Sequence, residues 1–458
     1  MKTLKWLVSI VVLLLMVAAG YLITQVFPII SGYGAKQLCS CVMLGKRTPE
    51  SVIEKELGQS PLSLGTYSMN FEDSTATASV FGLATKKAIY RKGLGCSLIS
   101  EISEKEFRSQ SYKLPEKPHI DADTINWPSG NRLKDTVFPE IDYTHLTETV
   151  EKAFENPQGL RNTRAIVVVY KNQLVLEKYA EGFDKHSPQI GWSMTKSITN
   201  TLIGILVKQG KLDIQDKAPI KEWQNDNRNT ITLDNLLKAS SGLEWEEVYD
   251  RPSYATRMLF TKKDMGTFAA SAPLIHHPGD TFLYSSGTTN ILSRIIRETV
   301  GKENYYHFPY THLFHKIGMV NIVMETDAGG TFVGSSYSFA TARDWARFGL
   351  LYLNGGVWEN ERILPEDWVN YTVQPAKGAP KGEYGAQFWL NAGEQGNPQN
   401  RTYPDVPANA YWAAGFEGQN VYILPSQDLV VVKLSLSQKG NKMDDNLFLS
   451  ELLKSFSE

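Results

Sequence analysis

The apolar positions of this chain divide it into three stretches with different rhythms. From Trp6 to Phe27 the sequence is apolar and broken only by Ser9, Gly20, Thr24 and Gln25. That length approaches the ~20 residues a helix needs to cross a bilayer and exceeds a usual signal-peptide core. Lys2 and Lys5 precede it, and basic residues ahead of an apolar span favour a cytoplasmic N-terminus and an exported body. Cleavage near Ala18-Ala19-Gly20 is the alternative, giving a secreted protein, and no lipobox cysteine directly follows the run. Thr48-Pro49-Glu50 then reads as a helix start. Alternation through Thr77, Ser79, Phe81 and Leu83, followed by Ala88-Ile89-Tyr90, predicts strands. A connector with Pro115, Pro118, Pro128 and Pro139 comes next.

A third stretch begins near Asp142. Ala165 to Tyr170 and Leu174 to Tyr179, joined through Lys171-Asn172-Gln173, predict a hairpin, and so do Val421 to Leu424 and Leu429 to Val432 around Pro425-Ser426-Gln427-Asp428. Between them lie helical patterns, including Ile198, Leu202, Ile203, Ile205 and Leu206, and later Ile291, Leu292 and Ile295. An amphipathic segment from Asp445 to Phe456 closes the chain and is placed to pack on the sheet. The pattern predicts a mixed α/β (α+β) protein: an antiparallel sheet flanked by helices, with a mostly helical middle. The predicted organisation is 1–30 as anchor or signal, 31–140 as N-terminal extension and linker, and 141–458 as a catalytic domain.

Chemistry enters at Ser193-Met194-Thr195-Lys196. Residues at i and i+3 of a helix are neighbours, so the Lys196 amine can reach the Ser193 hydroxyl and, if neutral, take its proton. The apolar residues that follow would bury the helix and desolvate the amine, which disfavours its charged form. Free N–H groups at a helix N-terminus also favour developing negative charge. Downstream, Pro278-Gly279-Asp280 leads into Thr281-Phe282-Leu283-Tyr284-Ser285-Ser286-Gly287, and Tyr411-Trp412-Ala413-Ala414-Gly415-Phe416 leads into the last hairpin. Serine and lysine, then tyrosine, then a glycine-bearing strand is the order found in S-x-x-K hydrolases.

On these segments, together with Leu236-Leu237-Lys238-Ala239-Ser240-Ser241-Gly242-Leu243 and Ala340-Thr341-Ala342-Arg343-Asp344, the chain resembles the serine β-lactamase and penicillin-binding-protein superfamily. Within it the likeness is to class C-like esterases and 6-aminohexanoate-dimer hydrolases, over roughly residues 140 to 458. The resemblance implies a β-lactamase/transpeptidase-like fold with Ser193 as the acylated nucleophile, Lys196 as its base and Tyr284 as the proton relay to the leaving group. It implies an oxyanion hole from the backbone N–H groups of Ser193 and Phe416, aimed at the tetrahedral oxyanion. Trp192, Ser286, Trp412 and Gly415 are the candidate substrate-binding positions, although Trp192, Tyr411 and Trp412 serve core packing equally well.

Two positions depart from the pattern. Where β-lactam-binding relatives usually carry a lysine or histidine in the third motif, this chain has Ala413, and where an asparagine is expected two residues after the tyrosine it has Ser286. Both departures disfavour an efficient β-lactamase or carboxypeptidase and suit an esterase or amidase.

Other chemistries are excluded or weakened. A G-x-S-x-G elbow begins at Gly191-Trp192-Ser193 but fails at Thr195, and no H-E-x-x-H, paired C-x-x-C, P-loop or G-x-G-x-x-G occurs. No metal or cofactor is expected, and the adjacent His276-His277 reads as a loop. With 458 residues, 42% of them hydrophobic, there is ample material for a large core. A net charge of -2 with interspersed charges leaves no footprint for nucleic acid. Among the three cysteines, Cys39 and Cys41 are too close to pair comfortably, whereas either could reach Cys96; Cys39 and Cys96 are the disulfide candidates.

The expected protein is an exported, membrane-anchored serine hydrolase with its body on the periplasmic or extracytoplasmic side, acting on a small-molecule ester or amide. The alternatives are a β-lactamase or D-Ala-D-Ala carboxypeptidase-like enzyme, and a non-catalytic cell-envelope binding protein of the same fold.

Overall fold

A computed structural model of the chain describes residues 2–118, 121–156, 161–397, 399–438, 441 and 443–456. They form two compact units. The first comprises Met1–Gln110, Glu246–Phe268 and Glu325–Thr331, and the second Ser111–Trp245, Ala269–Met324 and Phe332–Glu458.

In the first unit, α1 (Lys2–Tyr21) is a helix whose apolar side chains stand exposed. One π-helical turn at Leu22–Val26 joins it to α2 (Phe27–Met43). Unlike α1, α2 is buried along most of its length. It packs with a four-stranded antiparallel meander, β1 (Gly65–Asn70), β2 (Thr75–Val80), β3 (Leu83–Arg91) and β4 (Gly95–Leu98). The alternation read through Phe81 and Leu83 is interrupted, because Phe81 and Gly82 both take positive φ and reverse the chain there. A disulfide joins Cys39 on α2 to Cys96 on β4, with Cα atoms 6.0 Å apart, and Cys41 is a buried thiol. Beside it the buried Glu325 carboxylate pairs with Lys36 and accepts from Ser40 Oγ at 2.8 Å and from the Cys96 N–H at 2.6 Å. A buried charge needs such partners.

The second unit is built on a six-stranded antiparallel sheet. Its strands are β5 (Arg161–Tyr170), β6 (Gln173–Tyr179), β7 (Trp389–Leu390), β8 (Tyr411–Gly415), β9 (Gln419–Leu424) and β10 (Leu429–Ser437), in the order β7-β8-β9-β10-β5-β6. First and last segments of the unit therefore meet at β5 and β10, where Val167 pairs with Val432 and Val169 with Val430. The runs Ile166–Val169 and Val430–Val432 are apolar at consecutive positions because both faces of these strands are covered. One face carries α3 (Tyr143–Ala153) and α7 (Asp445–Leu453), which place Leu146, Val150, Phe448 and Leu452 over Val168 and Val431. Across the other face runs α6 (Ala342–Leu353), with Gly349 so close that an added Cβ would lie 2.6 Å from Val430 Cγ1. Helices α4 (Thr195–Lys208) and α5 (Ser286–Val300) carry the chemically interesting residues. The architecture is the mixed one that the hydrophobic pattern predicts, with sheet strands at both ends of the domain and helices between.

Candidate active site

The segment leading to Ser193 is held from both sides. Strand Gln189–Ile190 pairs with Ser338–Ala340, and the Gly191 N–H donates to the Ser338 carbonyl at 2.7 Å. Trp192 then adopts φ +47, a left-handed conformation that costs a bulky residue energy and persists only when its surroundings enforce it. Here the enforcement is visible. Thr195 Oγ1 donates to the Trp192 carbonyl at 2.7 Å and contacts Ser338 Oγ at 2.6 Å, while the buried Trp192 ring packs against Tyr337 and Phe416.

Ser193 lies in a 3-10 turn, Trp192–Met194, and α4 begins at Thr195, two residues later than the sequence spacing suggests. The difference preserves the key contact, because positions i and i+3 eclipse in a 3-10 turn. Lys196 Nζ sits 3.0 Å from Ser193 Oγ. Ser193 is partly exposed, whereas Lys196 is 2% exposed.

Two further oxygens lie beside the amine. Ser286 Oγ is 2.9 Å away and the Ser335 carbonyl 3.0 Å. Ser286 is fixed as the first residue of α5, which Ser285 caps by accepting the Thr288 N–H at 3.0 Å. Ser335 is held by Asn290 from the same helix, whose Nδ2 donates to Ser335 Oγ at 3.0 Å. Lys196 also lies over the face of Tyr284, 4.8 Å from the ring centroid. Tyr284 is half-buried and packs on Trp389 and Tyr384, with centroids 5.2 and 5.7 Å away.

The end of β8 approaches from the other side. A Cβ on Gly415 would lie 2.2 Å from the Gly191 carbonyl oxygen, so only glycine permits the strand to come this near the Ser193 turn. Phe416 follows, 46% exposed, its ring edge-on to Trp192 at 5.7 Å.

The structure thus brings Ser193, Lys196, Tyr284 and Ser286 together, with Trp192, Gly415 and Phe416 beside them. Trp412 faces elsewhere: it is 4% exposed, within the core cluster, and packs on Tyr403 and Tyr422. Ser335 and Asn290 were not singled out from the sequence. Nothing in the local pattern marks them, since Ser335 lies 139 residues from the lysine it contacts.

Residues 150–454 match the sequence pattern of the beta-lactamase family. The chain belongs to the beta-lactamase family. Over 307 residues it is 25% identical to the 6-aminohexanoate-dimer hydrolase of Paenarthrobacter ureafaciens, covering 60% of this chain and 72% of that one. A Bacillus anthracis protein provisionally assigned as a 6-aminohexanoate-dimer hydrolase superposes with a TM-score of 0.56 at 24% identity, over 71% of this chain and 86% of that one. A family VIII carboxylesterase superposes with a TM-score of 0.54 at 14% identity, over 70% and 98% of the two chains. At such identities the two superpositions are likenesses of fold. The beta-lactamase family is one of serine hydrolases, with hydrolase and esterase members among these neighbours.

The fourth segment of the resemblance, Ala340 to Asp344, is architectural. Thr341 caps α6, Arg343 pairs with Glu177 on β6 and donates to the Asn131 carbonyl at 3.0 Å, and Asp344 contacts Arg347 at 3.3 Å. Burial pushes the Asp344 carboxyl up, with Arg347 opposing. Burial acts on Glu177 in the same sense, but the hydrogen bond and charge of Arg343 outweigh it and hold Glu177 below the usual carboxylate range.

Proposed function

We propose that this chain is a membrane-anchored serine hydrolase that cleaves an ester or a linear amide through an acyl-Ser193 intermediate. The observation that carries the reading is the buried amine of Lys196, 3.0 Å from Ser193 Oγ and ringed by Ser286 and the Ser335 carbonyl. An ammonium has three N–H donors, and these three oxygens would take all of them. A neutral amine keeps two N–H groups, for Ser286 and Ser335, and turns its lone pair to the Ser193 hydroxyl. In that state it is a general base in hydrogen-bond reach of its proton.

The proposed cycle follows. The Ser193 proton passes to Lys196 as Oγ bonds to the acyl carbon, and the oxyanion is met by the N–H groups of Ser193 and Phe416. Collapse breaks the bond to the alkoxide or amine leaving group, which receives a proton through the Tyr284 hydroxyl. Water then attacks the acyl-enzyme, its proton taken by the same base, and Ser193 is released with its own proton restored. Gly415, Trp192 and Ser286 shape this site in the proposal, and Trp412 supports β8 from beneath.

Ala413 bears on the substrate. It is a buried residue of β8 with no charge to offer a substrate carboxylate. A charged hydrogen bond of that kind contributes roughly 1.5–3 kcal/mol, so its absence weakens β-lactam recognition about tenfold to a hundredfold. The likeness to a 6-aminohexanoate-dimer hydrolase, named for a substrate other than a β-lactam, favours the same side. The anchor rests on the exposed apolar α1 behind Lys2 and Lys5.

A fluorophosphonate probe should label the Ser193 peptide, and a panel of p-nitrophenyl esters, linear amides and a chromogenic cephalosporin should show esters or amides turned over fastest. Ser193→Ala should lose both labelling and turnover, typically by several orders of magnitude in rate. Retained labelling in that variant would refute the nucleophile, and fastest turnover of the cephalosporin would restore the β-lactamase reading.

A further inference from the structure

The first unit carries exposed apolar side chains at both ends of its sheet: Phe71 stands next to Glu72 and Asp73 in the β1–β2 turn, whereas three gather at the other end with no acidic or basic neighbour in sequence. Phe81 is 68% exposed, and Leu83 and Leu64 are 45% exposed each. Phe81 and Gly82 form the two-residue turn between β2 and β3, flanked by the Val80–Leu83 pair, with φ of +52 and +75. Two-residue hairpin turns with positive φ at both positions strongly prefer Asn-Gly or Asp-Gly. A phenylalanine in the first position is strained and has its ring in the open. The turn itself gains nothing from that ring, so the reason for it lies outside the hairpin.

The position of the tip relative to the N-terminal helix supplies the reason. A helix of 20 residues, the length of α1, is about 30 Å long, the thickness of a bilayer's hydrocarbon core. If the apolar run that begins at Trp6 spans, about 20 residues carry it to about Gln25, and the headgroup layer covers the end of the turn Leu22–Val26 and the start of α2. The hairpin descends along this helix toward that level. Ser31 Oγ donates to the Ala84 carbonyl, and further toward the tip the Phe81 ring lies edge-on to Phe27 at 6.0 Å. Val80, Leu62 and Ala84 cluster with Val26, Phe27 and Ile30 at the same level.

Charge distribution agrees. No Asp, Glu, Lys or Arg occurs from Trp6 to Ala35, from Ser60 to Phe71, or from Ser74 to Thr85. The first acidic residues of the meander, Glu72 and Asp73, stand in the β1–β2 turn at the far end of β2. Six residues of strand separate the two ends by about 20 Å.

We propose that the Phe81-Gly82 hairpin tip, with Leu83 and Leu64, is a second membrane contact that inserts into the interfacial layer of the bilayer beside the exit of α1. This rests on the reading of α1 as a membrane span. The occupant is the headgroup–acyl boundary of the lipid, where aromatic rings are favoured, and the tip would fix the first unit against the surface at two points.

The test uses the full chain in phosphatidylcholine vesicles, carrying Cys41→Ser and one labelled cysteine at Phe81→Cys, Leu83→Cys, Phe71→Cys or Val12→Cys with a nitrobenzoxadiazole fluorophore. Lipids brominated near the headgroup should quench the label at positions 81 and 83 and blue-shift its emission, and should leave position 71 unquenched. Lipids brominated deep in the acyl chain should quench position 12. Quenching at 12 with none at 81 and 83 overturns the hairpin proposal while the anchor stands. No quenching at 12 overturns the anchor, and equal shallow quenching at 71 and 81 overturns the proposed orientation of the tip.

Discussion

Gly415→Ala offers the sharpest test of how β8 serves Ser193. The new Cβ would lie 2.2 Å from the Gly191 carbonyl oxygen and 3.0 Å from Gln419 Cβ. The first contact is at least about 1 Å short of van der Waals distance. Gly191 has nowhere to retreat. Its N–H is committed to Ser338 at 2.7 Å, and its own α-carbon faces Trp345, where a Cβ would meet the ring at 2.3 Å. The strand end must therefore yield, carrying the Phe416 N–H about 1 Å from where the oxyanion forms. Loss of one preorganised oxyanion donor costs about 10²–10³ in kcat, or about 2.7–4 kcal/mol of transition-state stabilisation. Overpacking adds about 1–3 kcal/mol of lost fold stability, which circular dichroism melting would report separately. In p-nitrophenyl ester hydrolysis we expect kcat to fall about 10²–10³ with KM nearly unchanged, because the donor acts on charge that develops after binding. A folded Gly415→Ala enzyme with wild-type kcat would refute the placement of an oxyanion donor at Phe416.

Two further outcomes follow from Lys196 and from the Glu177–Arg343 pair. Lys196→Arg sets a permanent cation in the place of the amine and cannot accept a proton near neutral pH, so ester turnover should drop by at least about 10², the lower range for a lost general base, while the melting curve stays cooperative; turnover close to wild type would make Lys196 structural. Glu177→Gln removes the carboxylate that pairs with the 4%-exposed Arg343 side chain and should lower unfolding free energy by about 1.5–3 kcal/mol at pH 7. Since the folded pKa of Glu177 is depressed below its unfolded value of about 4.3, its contribution is present above that pH and is lost as pH falls through the folded pKa. Denaturant titrations of wild type and Glu177→Gln should therefore differ at neutral pH and converge in acid, and a constant gap down to pH 3 would contradict the ion pair as its source.

What the sequence reveals is what is local. Ser193 and Lys196 are three residues apart, so any turn of helical hand brings them together, and neither the 3-10 turn nor the later start of α4 disturbs that. The hairpins were legible because apolar runs flank short polar turns, and α7 because Phe448, Leu449 and Leu452 recur at helical spacing, although Leu447 stands exposed. Phe81 misled the alternation, since a bulky residue rarely accepts the positive φ that turns the chain at that point. The close approach of β8 to Gly191 was only half legible: Gly415 stands in a recognisable motif, but the 2.2 Å constraint that demands glycine belongs to a partner more than two hundred residues away. The same holds for Glu325, whose meeting with Lys36 and Cys96 spans nearly three hundred residues in the first case and leaves no local mark.

Ser286 shows how a departure from a motif acquires sense only in three dimensions. As a shorter replacement for asparagine it reads as a loss of reach, yet its hydroxyl lies 2.9 Å from Lys196 because it opens α5 directly beside the amine. The two oxygens that face Lys196 away from Ser193 are chemically unlike. The Ser335 carbonyl can only accept, whereas the Ser286 hydroxyl both donates and accepts. On the proposed mechanism Lys196 alternates between amine and ammonium, so the carbonyl keeps one N–H in every state and fixes the direction of the side chain. The hydroxyl accepts from the ammonium and from the neutral amine alike, which leaves the lone pair of the amine to Ser193. Asn290 holds Ser335 from the helix that Ser286 begins, so α5 supplies one contact to Lys196 directly and steadies the residue that supplies the other.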